Sequence, residues 1–136
     1  MVIVDTSVWS LALRRQRVQP GNEALTAELV RLIGRGEALI AGPIRQELLS
    51  GVASESQYQI LRERLEAFPD LPILTPDYER AAACFNRCRA RGVQGSNTDY
   101  LLCALALRLQ IPVFSTDRDF GRYAGILGVR LHAIGS

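Results

Sequence analysis

The chain has 136 residues, 48% of them hydrophobic and 22% charged, a balance that supports one folded domain with a buried core and excludes a disordered chain. It opens on a strand-like run with no basic and apolar leader, and it holds no apolar stretch of spanning length. A soluble, cytoplasmic single domain over residues 1–136, with no membrane partner, is therefore expected, while a formal net charge of +2 is too small to argue for nucleic acid by itself.

The first predicted element is a short buried strand, Val2 to Asp5. Ser7 to Arg15 reads as a helix with Val8, Leu11 and Ala12 on one face. Asn22 to Gly34 is a second helix, with Asn22 a favoured N-cap and Leu25, Leu29, Leu32 and Ile33 at helical spacing. A strand over Ala38 to Ala41 follows. Pro43 opens a helix that Gly51 closes, and Ser56 to Phe68 is amphipathic. Leu71 to Leu74 is expected as a short strand. Thr75-Pro76 starts a helix reaching about Arg91, and Ser96 caps one that ends near Gln110. Pro112 to Ser115 is a strand, Arg118 to Leu127 is partly helical, and Val129 to Ile134 is a last strand. Short apolar strands alternating with helices predict a three-layer α/β/α fold around a mostly parallel sheet. Ligands bind such sheets beyond the carboxyl ends of the strands.

Every basic residue is Arg. Arg14, Arg15 and Arg17 cluster after the first helix, and Arg87, Arg89 and Arg91 before Gly92. Guanidinium forks suit phosphate oxygens, but these are equally solvated helix ends. The cysteines, Cys84, Cys88 and Cys103, and the one histidine, His132, complete no zinc set. Buried, reduced thiols are expected.

Five carboxylates carry the functional signal. Asp5 ends the run Val2-Ile3-Val4, and Asp117 and Asp119 follow Val113-Phe114-Ser115. Glu47 and Asp99 lie near the starts of two apolar helices. Each has an ordinary explanation: Asp5 as an N-cap, Glu47 as an exposed helical acid, Asp99 as part of a capping box with Ser96, and Asp117 with Asp119 as a turn. Yet Asp99 shares a face with Leu102, Cys103 and Ala106, where a carboxylate costs free energy unless it is paired or coordinated. Gathered like charges need a counter-cation, and Mg²⁺ or Mn²⁺ suits oxygen donors. Together the five point to a metal-dependent enzyme acting on phosphate esters.

Val-Asp-Thr-Ser at positions 4 to 7, Gln-Glu-Leu-Leu-Ser-Gly at 46 to 51, the Asp99 helix, and Ser-Thr-Asp-Arg-Asp-Phe at 115 to 120 together resemble the PIN domain. The short single-domain form is similar to VapC-type toxins of bacterial toxin–antitoxin pairs. The resemblance implies a Mg²⁺- or Mn²⁺-dependent endoribonuclease, with Asp5, Glu47, Asp99 and Asp117 as the catalytic metal site and Asp119 as a common fifth member. It also implies an RNA substrate, a cognate antitoxin whose tail enters the acidic cleft, and a homodimer. On this reading Thr6, Ser7, Ser96, Asn97 and Thr116 contact phosphate or hold waters. One departure is Tyr100-Leu101-Leu102-Cys103, where smaller residues are expected near the start of the helix. Trp9 is open to either a dimer contact or the core.

Other classes fit less well. An aspartyl phosphatase wants a second Asp at position 7, which is Ser7, and a Lys, which the chain lacks. A receiver domain fails on the same Lys, and no Gly-x-x-x-x-Gly-Lys loop occurs. The alternatives kept are a PIN-like RNA-binding module without catalysis and another metal-dependent phosphoesterase.

Overall fold

Three apolar runs, each too short and too uniformly hydrophobic to face water, pair side by side at the centre of the molecule. The computed structural model describes residues 1–13 and 20–134. In chain order the elements are β1 (Val2–Val4), α1 (Thr6–Leu13), α2 (Glu23–Gly34), β2 (Ala38–Leu39), α3 (Gly42–Leu49), α4 (Glu55–Leu65), α5 (Thr75–Ala90), α6 (Asn97–Leu109), β3 (Val113–Phe114) and α7 (Asp119–Leu127). The sheet order is β2-β1-β3, all parallel, with Ile3 opposite Leu39 on one side and Val113 on the other. The α/β/α class is therefore the one read from the sequence. Ile3, Val4, Ile40 and Val113 are fully buried, as a sheet covered on both faces requires.

Three local expectations are corrected. Leu71 to Leu74 is not a strand: one bridge, Ile40 to Asp70, and one bond from the Leu71 amide to the Ile40 carbonyl are all that pair there. Pro72 lacks an amide and Leu74 is exposed, so this edge cannot extend. Val129 to Ile134 likewise shrinks to a bridge between Val113 and Leu131. Asn22 stands at the N-cap of α2, but its side chain makes no capping bond; Glu23 instead accepts the Gly21 amide at 2.9 Å. The cluster Arg14, Arg15 and Arg17, and with it the expected end of the first helix, lies outside the described residues.

Two buried acids tie distant segments together. Asp77 accepts the Leu74 amide at the start of α5 and takes both Nε and Nη2 of Arg108 from α6, at 2.7 and 3.0 Å. The guanidinium is the main reason its carboxyl sits below the ordinary range. Glu28 on α2 receives a two-pronged bond from Arg31, and His132 Nε2 lies 2.5 Å from its Oε2. Arg31 chiefly holds Glu28 down, to about 2. A carboxyl lowered by folding stabilises the native state fully above its ordinary value near 4.5, and the stabilisation is lost as pH falls through about 2. Urea unfolding of wild type and Glu28→Gln from pH 6 to 2 should therefore show a shallower acid loss in the variant; parallel curves would remove Glu28 from the acid transition.

Cys84, Cys88 and Cys103 are free and buried, as expected. Tyr100, the bulky departure at the start of α6, is fully housed: its ring meets Phe85 edge-on at 5.4 Å and Tyr123 at 5.0 Å. No described helix is long and apolar enough to cross a membrane.

Candidate active site

The site forms where β1 and β3 end together. The Asp5 amide donates to the Phe114 carbonyl at 2.9 Å, which sets the end of β1 beside the end of β3. The Asp5 carbonyl then accepts the Val8 and Trp9 amides and starts α1, so the residue occupies a helix entry as well. Its carboxylate is buried, and Oδ2 accepts hydroxyl bonds from Ser7 and Ser115, both at 2.8 Å. Ser115 Oγ also accepts the Asp117 amide at 2.9 Å, and Ser7 Oγ accepts the Thr116 amide at 3.0 Å. Two hydroxyls thus lace Asp5 to the loop that carries Asp117. That loop turns into α7 through a bond from the Asp119 amide to Asp117 Oδ1 at 2.9 Å.

Glu47, exposed on α3, is reached through the neighbour of Asp5: Thr6 Oγ1 donates to its Oε2 at 2.6 Å. Asp99 enters from α6. Ser96 Oγ caps that helix by accepting the Asp99 amide at 3.1 Å, leaving the carboxylate free of the backbone. Asp99 Oδ2 accepts the Tyr123 hydroxyl from α7 at 2.7 Å. Burial pushes the Asp99 carboxyl above its ordinary value; the Tyr123 and Ser96 hydroxyls oppose that, and the charges of Asp5 and Asp117 add to it. Asp119 acts electrostatically on Tyr123, whose phenol is raised mainly by burial. Thr116, whose amide donates to Ser7, is exposed beside the acids, whereas Asn97, also exposed, lines a cleft with Tyr78, Ala81 and Leu101 that none of the five acids lines.

The acids therefore share one neighbourhood, but they are not drawn into a closed cage. Among the described residues no three His, Cys, Asp or Glu side chains stand as a group that could hold a metal ion as placed. Asp5, Glu47 and Asp99 are each held by hydroxyls of their own, and like charges repel, which accounts for that spread. The donor chemistry nonetheless fits a hard divalent cation. The donors are oxygens only, and among the described residues none of the five acids has a cationic side chain within ion-pair distance. Arginines pair elsewhere, with Glu28, Glu37, Asp70, Glu66 and Asp77. Uncompensated carboxylates at one sheet end attract a cation.

Sequence reasoning missed Tyr123 and Ser115. Tyr123 sits on the stripe Phe120, Tyr123, Leu127 of α7, and a phenol on an apolar stripe needs a buried acceptor. That was the available signal. The identity of the acceptor depends on how α7 docks against α6.

A family model for the PIN domain matches residues 2–126. The chain is 28% identical over 134 residues to the ribonuclease VapC11 of Mycobacterium tuberculosis, covering 96% of each. Its fold is similar to that of FitAcB from Neisseria gonorrhoeae, with a TM-score of 0.77 and 24% identity over 98% of this chain and 97% of that one. It is also similar to VapBC2 from Rickettsia felis, solved bound to a DNA fragment from their promoter, with a TM-score of 0.73 and 16% identity over 97% and 98%. With the family's model spanning nearly every described element and the acids gathered where β1 and β3 end, the chain belongs to the PIN domain family.

Proposed function

We propose that this single-domain chain is a Mg²⁺- or Mn²⁺-dependent endoribonuclease, the toxin of a type II toxin–antitoxin pair. The observation that carries the reading is the convergence of Asp5 and Asp117 on Asp99, close enough for their charges to act on it, without a neutralising arginine among the described residues, in a PIN-family chain. The ribonuclease name of its mycobacterial relative supports the same activity.

Asp5 and Asp99 would hold the ion directly, with Glu47, Asp117 and Asp119 holding it directly or through water. A divalent ion there supplies Lewis-acid activation of water and charge neutralisation at the phosphate. Proton removal falls to a carboxylate, because the chain has no Lys and His132 is engaged by Glu28. Glu47 and Asp117 are the exposed members of the set and suit that task. Thr6, Ser7 and Ser96 commit hydroxyls to Glu47, Asp5 and the Asp99 amide, so their first job is orientation. Thr116, exposed beside Ser7, and Asn97, exposed at the start of α6, would meet phosphate oxygens. RNA is the substrate, a cognate antitoxin the inhibitory partner, and a homodimer the working form.

Purified chain should cleave RNA with Mn²⁺ or Mg²⁺ and lose that activity in EDTA, with recovery on adding metal back. Cleavage that persists in excess chelator would sink the proposal. Growth arrest on expression, relieved by co-expressing a small protein encoded beside it, tests the antitoxin.

A further inference from the structure

A phenol tip, rather than a backbone group, touches Asp99. The Tyr123 ring is completely buried, packed on Tyr100 at 5.0 Å and on Phe120 at 5.2 Å, and its hydroxyl is 2.7 Å from Asp99 Oδ2. The loop before α6 makes room for it. A Cβ built on Gly95 would stand 2.1 Å from the Tyr123 hydroxyl oxygen and 2.7 Å from Cζ. The φ of Gly95 is not among the positive ones, so what Gly95 supplies is space. Two aromatic neighbours packed on the buried ring resist its displacement. Resting on the metal-site reading above, we infer that Tyr123 is a positioning residue that aims the Asp99 carboxylate at the cation, and that Gly95 is required so that the phenol can reach it. With Oδ2 held by the phenol, the orientation of the Asp99 carboxylate is set before the ion arrives.

The test is Mn²⁺ affinity, read from the EPR signal of free ion during titration of the purified chain. Y123F keeps the ring and removes the hydroxyl; about a 10- to 100-fold loss of affinity is expected, the range typical for an outer partner of a metal ligand. G95A leaves Tyr123 chemically intact and should lose affinity similarly by displacing the hydroxyl. The double variant should lose far less than the product of the two single losses, since both changes break one contact. Circular dichroism melts of each variant identify folded protein. Wild-type binding that survives both Y123F and G95A unchanged overturns this inference alone. A wild-type chain that binds no Mn²⁺ overturns the metal-site reading and this inference with it. Multiplicative losses in the double variant overturn the link between Gly95 and Tyr123.

Discussion

Replacing Asp99 with Asn should abolish RNA cleavage while leaving the metal-free chain as stable as wild type or more so. Asn keeps an oxygen that can accept the Tyr123 hydroxyl, and the cap of α6 uses the Asp99 amide, which the change leaves untouched. What disappears is a negative charge that burial and the neighbours Asp5 and Asp117 disfavour. Activity should fall by more than about 100-fold, beyond the usual loss for a residue that merely supports a ligand. The stability effect has a defined sign. A carboxyl raised by folding binds its proton more tightly in the native state, so its ionisation costs stability above the raised value and costs nothing below the ordinary value of 3.8. Wild type should therefore gain on D99N as pH falls from neutral toward that value. Single-turnover cleavage per folded molecule, alongside urea melts across that range, checks both halves. A variant that unfolds but cleaves normally when folded would remove Asp99 from the metal site.

The largest stability loss is expected from Trp9→Ala. Trp9 is fully buried, its ring packs against Phe68 at 4.9 Å, and its Nε1 donates to the Val4 carbonyl at 3.0 Å. Truncating a buried Trp costs about 3–5 kcal/mol, against a total stability of about 5–15 kcal/mol for a domain. The melting temperature should drop by roughly 10–20 °C. Trp9→Phe keeps most of the packing and loses the bond, so it should cost about 1 kcal/mol beyond its smaller volume. Because Val4 precedes Asp5, the indole bond also holds the end of β1 on which the site is built. A melt of W9A that overlays wild type would show that this ring is not part of the core. The sequence left Trp9 open between core and dimer contact; its burial within one chain assigns it to the core.

The strands that matter for the site were legible because their apolar runs end abruptly in polar residues. Val2-Ile3-Val4 before Asp5, and Val113-Phe114 before Ser115, can be buried only in a covered parallel sheet. Glycine and proline punctuation placed most helices within a few residues, as with Pro43 and Gly51 around α3. The edges misled. Leu71 to Leu74 and Leu131 are apolar enough for strands, but they border solvent and each meets one partner residue. The side-chain network was less legible than the acids. The pairing of Tyr123 with Asp99, and of Ser115 with Asp5, depends on the packing of segments distant in sequence, which no local pattern encodes. His132, read only as an incomplete zinc set, turns out to clasp Glu28.

The pairing of Ile3 with Val113 also dictates when the acidic end of the sheet can assemble during synthesis. The opening strand can pair with β2 early but waits for β3 until the ribosome has released most of the polypeptide, and contacts between such distant segments form slowly. Until then Asp5 has neither Ser115 nor Asp117 beside it. Truncated or stalled products ending before β3 consequently lack both the third strand and the Ser115 hydroxyl that holds Asp5.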